Sequence, residues 1–168
     1  MTRNANEKTM PNEPDLQALA RELIDSESTM ALATAGKNGA WAAPVYYVFS
    51  QGAMYFFSDS ESRHIQESQE SGQAAATIYP FVSSWRDIRG LQMSGRIRKV
   101  RPGPKAFGAV RAYVAKYPFT REFFDPREDL DLETFAKRFR VRFYRFEPQL
   151  VYYLDNKIRF GFREAVQL

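Results

Sequence analysis

The stretch LATAGKNGAWAAPVYYVFSQGAMYFFSD, residues 32–59, decides the fold. Two apolar runs are joined by GKNG and the second is joined to a third by SQGA, and both junctions carry the glycine and asparagine that tight antiparallel reversals require. Three consecutive antiparallel strands are expected. The middle run, AWAAPVYYVF, is almost continuously apolar where a strand with one wet face would alternate, so both of its faces are expected to be covered. Pro44 within it has no amide hydrogen and cannot complete a ladder on both sides, which places the segment at an edge or a bulge.

Working outward, residues 1–12 are polar and aperiodic and read as a loose arm ahead of a single domain over residues 13–168. PNEPDLQALARELIDSES sets Leu16, Leu19, Ala20, Leu23 and Ile24 at helical spacing, with Asn12 as the expected cap and Pro14 in the first turn. SESRHIQESQESG reads as a short helix ended by Gly72, and QAAATIYPF and GLQMSGRIRKV as the next strands. A helix from about Gly103 to Tyr117, further helix to about Phe139, and the strands RVRFYRFEP and QLVYYLDN complete the chain. Strands with short turns, helices gathered in two places and no βαβ alternation indicate an antiparallel sheet or barrel in an α+β domain. The chain has no glycine-rich P-loop and no GxGxxG after a strand, which disfavours the parallel nucleotide-binding folds.

Composition excludes several chemistries. There is no cysteine, hence no disulfide, thiolate nucleophile or thiolate metal ligand, and a single histidine argues against a zinc site; no metal is expected. Lysine and arginine (24) exceed aspartate and glutamate (20) by only four, short of the charge density that coats a duplex. The basic strand carrying Arg89, Arg96, Arg98, Lys99 and Arg101 is read as a solvated or dimer-facing edge, with no nucleic-acid partner. MTRNANEKTMPNEP has no apolar signal core, and no run approaches the ~20 apolar residues that span a bilayer, so a soluble cytoplasmic protein without a membrane partner is expected.

The chemistry concentrates in SDSESRH, residues 58–64, at the end of the third strand and the start of a helix. First-turn amides of a helix are unpaired and the helix dipole is positive there, so an anion is welcome. Ser58, Ser60 and Ser62 add hydroxyls, Arg63 a planar fork of donors, and His64, the only imidazole, one or two more. The set suits a phosphate monoester. A structural reading stands beside it: serines cap helices, Arg63 can pair with Glu67 four residues on, and His64 can be a surface residue.

The order of these features resembles the pyridoxamine-phosphate-oxidase-like split-barrel flavoproteins. LATAGKNGAWAAPVYYVFSQGAMYFFSD, then SESRH, then a strand pair ending in IRGLQMSGRIRKV, follows that family's arrangement, and the closing VYYLDNKIRFGFRE resembles the DN…GFG ending of a small bacterial branch with no assigned reaction. The resemblance implies a six-stranded antiparallel split β-barrel with flanking helices, FMN as cofactor, and a homodimer with flavin at the subunit interface. It places Ser58, Ser62, Arg63 and His64 at the flavin phosphate, histidine standing where the family usually has lysine. It sets Ala43, Pro44, Val45 and Tyr46 along the isoalloxazine ring and Gln92 near it. Ala42 and Tyr47 stand where the oxidase proper has basic residues, which disfavours pyridoxamine phosphate as substrate. No acid and base pair presents itself, consistent with chemistry carried by the flavin, and no catalytic side chain is named. The expected function is FMN-dependent oxidoreduction of an unidentified small molecule. The alternative is a non-catalytic flavin- or haem-binding carrier or sensor, with FMN, haem and a deazaflavin all open as the native ligand.

Overall fold

The computed structural model describes residues 14–123 and 141–168. Asp15 caps α1 (Leu16–Ser26), its Oδ1 accepting from the amides of Gln17 (3.1 Å) and Ala18 (3.0 Å). The expected cap, Asn12, lies outside the described residues, and Pro14 precedes the helix instead of entering its first turn. Ala20, Leu23 and Ile24 form the buried stripe of α1, as their spacing predicts.

The strands are β1 (Thr29–Gly36), β2 (Gly39–Tyr46), β3 (Val48–Ser50), β4 (Ala53–Asp59), β5 (Ala74–Ile78), β6 (Arg89–Lys99), β7 (Val141–Asp155) and β8 (Arg163–Ala165). They form one antiparallel sheet in the order β2-β1-β5-β6-β7-β4-β3, with β8 also on β7. The helices α2 (Arg63–Ser71) and α3 (Pro104–Lys116) complete the α+β fold, and 3-10 turns occupy Trp85–Asp87 and Pro118–Phe123. The sheet curls until β2 and β4, near its two ends, approach each other, which makes a split barrel. The helix expected to run on to about Phe139 falls largely outside the described residues. No helix among them is long and apolar enough to cross a membrane.

The described residues form eight strands, where the resemblance implies six and the sequence shows seven separate runs; three local features turn the seven runs into eight strands. AWAAPVYYVF breaks at Tyr47 into β2 and β3, the two final runs are a single 15-residue β7, and the short β8 carries no periodicity to announce it. Pro148, at the junction of the two expected runs, is accommodated inside β7 by a register shift opposite Ser94 and Gly95. Gly95 permits this shift, because a Cβ there would stand 2.1 Å from the carbonyl oxygen of Glu147.

Alternation along β4 sorts its side chains into two cores. Met54 and Phe56 point into the barrel with Leu32, Ile65, Leu91 and Phe146, beneath α1 and α2. Tyr55 points outward with Val48 and Phe143, under Ala109, Val110 and Tyr113 of α3. The end of α3 is pinned across the chain. The Tyr117 hydroxyl lies between the carbonyls of Ser28 (2.7 Å) and Tyr47 and accepts from the Tyr47 amide (3.3 Å), while Lys116 donates to the carbonyls of Ile24 (3.3 Å) and Glu27 (2.7 Å). Burial of Tyr117 raises its phenol to about 12, so this hydroxyl stays protonated.

The expectation that both faces of AWAAPVYYVF are covered does not hold within one chain. β2 is the sheet's edge, as Pro44 requires, and most of it is exposed, with Trp41 and Tyr46 at 44% and 47%.

Candidate functional site

The β4–α2 corner gathers the polar residues. Ser58, last but one in β4, is on the same face as Met54 and Phe56, and the turn brings Ser62 and the first turn of α2 back over it. His64 is 8% exposed, and its Nε2 lies 2.8 Å from Ser58 Oγ and 3.3 Å from Ser62 Oγ. The two hydroxyls are 3.1 Å apart, and Ser62 also donates to the carbonyl of Asp59 at 2.7 Å. Ser62 occupies the N-cap position of α2 without a side-chain cap bond, and the amides of Arg63 and His64 find no backbone acceptor in the preceding turn. The first-turn amides of α2 are thus open to an acceptor from outside the helix.

Arg63 faces the other way around the helix. Its Nε donates to Glu67 Oε1 at 2.6 Å, its Nη2 to the carbonyls of Asn38 (3.0 Å) and Gly39 (3.1 Å), and its guanidinium carbon lies 4.7 Å over the ring of Trp41. The i,i+4 pair weighed from sequence is therefore present, and it clamps α2 to the β1–β2 hairpin. Sequence reasoning missed the partner on the far side: Thr34 donates to Glu67 Oε2 at 2.7 Å. Gly36 admits the carboxylate, since a Cβ there would meet Glu67 Cγ at 2.8 Å. Thr34 shares one β1 face with Leu32, the only signal it gave.

Two protonation states follow. Hydrogen bonds from Arg63 and Thr34 hold the Glu67 carboxyl below its ordinary range, burial pulling the other way. Burial pushes the His64 imidazole below its ordinary value of 6.5, so it is neutral at neutral pH. The unfolded chain then takes up a proton at His64 before the folded chain does, and stability rises with pH in that window. The melting temperature of the unliganded protein should decline as pH falls below about 6.5, and His64→Gln should remove that part of the decline. A profile as steep in the variant as in the wild type would contradict it. The Glu67 contribution is present above the ordinary carboxylate range and is lost at lower pH still.

The remaining expected residues are more dispersed. Along β2, Val45 packs on the barrel core and Ala43 is half-buried, whereas Pro44 and Tyr46 are on the exposed side, so the four are split between two faces. Tyr46 packs edge-on against Tyr117, ring centroids 5.2 Å apart. Gln92 is exposed on the outer face of β6, where Arg163 approaches it at 3.5 Å, and β1 and β5 stand between its strand and β2. No His, Cys, Asp and Glu cluster among the described residues could hold a metal.

A curled antiparallel sheet in this strand order, with a helix start closing one corner, is a split barrel. Residues 16–155 match the pyridoxamine 5'-phosphate oxidase family, and the chain belongs to it. The UPF0306 protein YhbP of Salmonella paratyphi A is 31% identical over 83 residues, 48% of this chain and 56% of that protein, so the chain spans little more than half the length of this relative. A haem-binding protein from Mycobacterium smegmatis superposes with a TM-score of 0.69 at 17% identity, over 92% of this chain and 59% of that one. An FAD-binding protein from Mesorhizobium loti does so with a TM-score of 0.59 at 16% identity, over 80% and 90%. At these identities the two structures establish the shared fold.

Proposed function

We propose that this protein is a cytoplasmic FMN-binding oxidoreductase acting on an unidentified small molecule, with the flavin phosphate seated at the β4–α2 corner on Ser58, Ser62 and His64, and with Arg63 turning from the carbonyls of Asn38 and Gly39 to join them. The observation that carries this reading is the cluster of His64 with two serine hydroxyls beside open first-turn amides, a donor set that fits a phosphate. Bound FMN would supply the redox chemistry, and the chain's own residues would hold and orient it. β2 is bonded only to β1, so its outer edge is open to a ring running past Ala43, Pro44, Val45 and Tyr46.

Gln92 is three strand spacings from β2, about 14 Å within one chain. A homodimer supplies what the single chain lacks: it covers the exposed face of β2 and brings Gln92 of a second copy to the ring. The two structural neighbours offer flavin and haem as candidates. For this chain the flavin is favoured, because the Nε2 of the only histidine is turned onto serine hydroxyls and is not presented to an iron.

Titration with FMN and with haemin tests the reading. FMN should be taken up with quenched flavin fluorescence; a protein that binds haemin and ignores FMN would overturn it. Arg63→Ala should weaken FMN binding by roughly one to two powers of ten, the scale of one charge-assisted bond at ~1.5–3 kcal/mol, while Glu67→Ala moves it much less. Unchanged affinity in a folded Arg63→Ala protein would leave this arginine as the hairpin clamp alone.

A further inference from the structure

A second basic site lies away from the flavin corner. The outer faces of β4, β6 and β7 and the start of α3 border an open cavity of about 730 Å³. Arg98, Lys99, Arg101, Lys105 and Arg145 line it, against a single carboxylate, Glu147. Glu147 pairs with Arg145; among the described residues the other four cations have no carboxylate partner. Arg98 and Arg145 stand directly opposite each other across the β6–β7 ladder, a like-charge pairing that costs stability unless an anion sits between them. The backbone at Pro104 to Ala106, the first turn of α3, forms part of the wall and adds its positive dipole end.

We propose that this cavity binds a small molecule bearing two or more phosphate groups, of the nucleoside di- or triphosphate class. The volume lies within the ~300–1,000 Å³ of small-molecule sites. Four uncompensated cations match a polyphosphate better than a single carboxylate, and Val100, Pro102, Pro104 and Ala106 give an apolar wall for the organic portion. A nucleic-acid strand fits less well. The one lining ring, Tyr55, is 2% exposed and offers no face for base stacking. None of the lining residues belongs to the corner of Ser58, Ser62, Arg63 and His64, so the two sites should fill independently.

Calorimetric titration of the FMN-treated protein with ATP, pyrophosphate and adenosine, at about 0.15 M salt, tests this. ATP and pyrophosphate should bind and adenosine should not. Arg98→Gln and Lys105→Gln, both at exposed positions, should each weaken ATP by about tenfold, one decade being ~1.4 kcal/mol, and leave FMN affinity unchanged. His64→Gln should leave ATP affinity unchanged. No heat from either polyphosphate, equal ATP affinity in a folded Lys105→Gln variant, or displacement of ATP by FMN would each overturn the proposal. Binding of a short single-stranded oligonucleotide in place of ATP would overturn it in favour of a nucleic-acid surface.

Discussion

FMN should bind this protein two to four powers of ten more tightly than riboflavin, given two charge-assisted bonds of roughly 1.5–3 kcal/mol each and ~1.4 kcal/mol per decade. The two flavins share a ring and differ in the phosphate, so whatever β2 contributes cancels in the comparison. What remains is the corner. His64 is neutral and buried without ligand, and a phosphate dianion placed against Nε2 favours the protonated ring, so the gap between the two flavins should widen as pH falls from 8 towards 7. Ser58→Ala and His64→Gln should each narrow it. Fluorescence titration of both flavins into the three proteins gives the answer, and equal affinities for FMN and riboflavin in the wild type would remove the phosphate assignment. A gap narrowed by Arg98→Gln instead would place the phosphate in the β6–α3 cavity.

Gly95→Ala should destabilise the protein by about 3 kcal/mol or more, the upper range for overpacking a closed interior. The added methyl would fall 2.1 Å from the carbonyl oxygen of Glu147 and 2.9 Å from its carbonyl carbon, and both belong to the backbone of β7, which cannot swing aside as a side chain can. Phe146, fully buried in the barrel, closes the third side at 3.0 Å. Relief requires parting the longest ladder of the sheet at the point where its register already shifts. Urea denaturation of the variant measures the loss. A change within about 0.5 kcal/mol, the scale of an ordinary surface substitution, would show that β7 yields there.

The hairpin arrangement of residues 29–59 was legible because glycines and apolar runs act locally, and Gly72 ended α2 as its position indicates. The count of strands was not. The two final runs meet at Pro148, and only the facing Gly95, more than fifty positions earlier, lets β7 continue through it. The corner was legible as a cluster of residue types, because Ser58, Ser62 and His64 are close in sequence. The role of Arg63 in bracing the hairpin was hidden, since its acceptors are backbone carbonyls, which every residue possesses and no pattern marks. The open face of β2 misled for a related reason: continuous apolarity states that a surface is to be covered without stating by which chain.

The pin at Tyr117 has a consequence for the order in which the protein assembles. Its hydroxyl meets the carbonyl of Ser28 across a sequence separation of 89, so a chain without cysteine closes a loop of that size through a phenol and an ammonium where other small domains use a covalent bridge. Closing such a loop carries an entropy cost that rises with the logarithm of its length, and none of it is recovered until α3 exists. As the chain leaves the ribosome, α1 and the first six strands emerge before the residues that tether them, and β7, the strand joining β6 to β4, emerges later still. The two halves of the barrel therefore wait for the last quarter of the chain, and a nascent polypeptide halted before residue 116 holds an incomplete sheet with both of its long edges open.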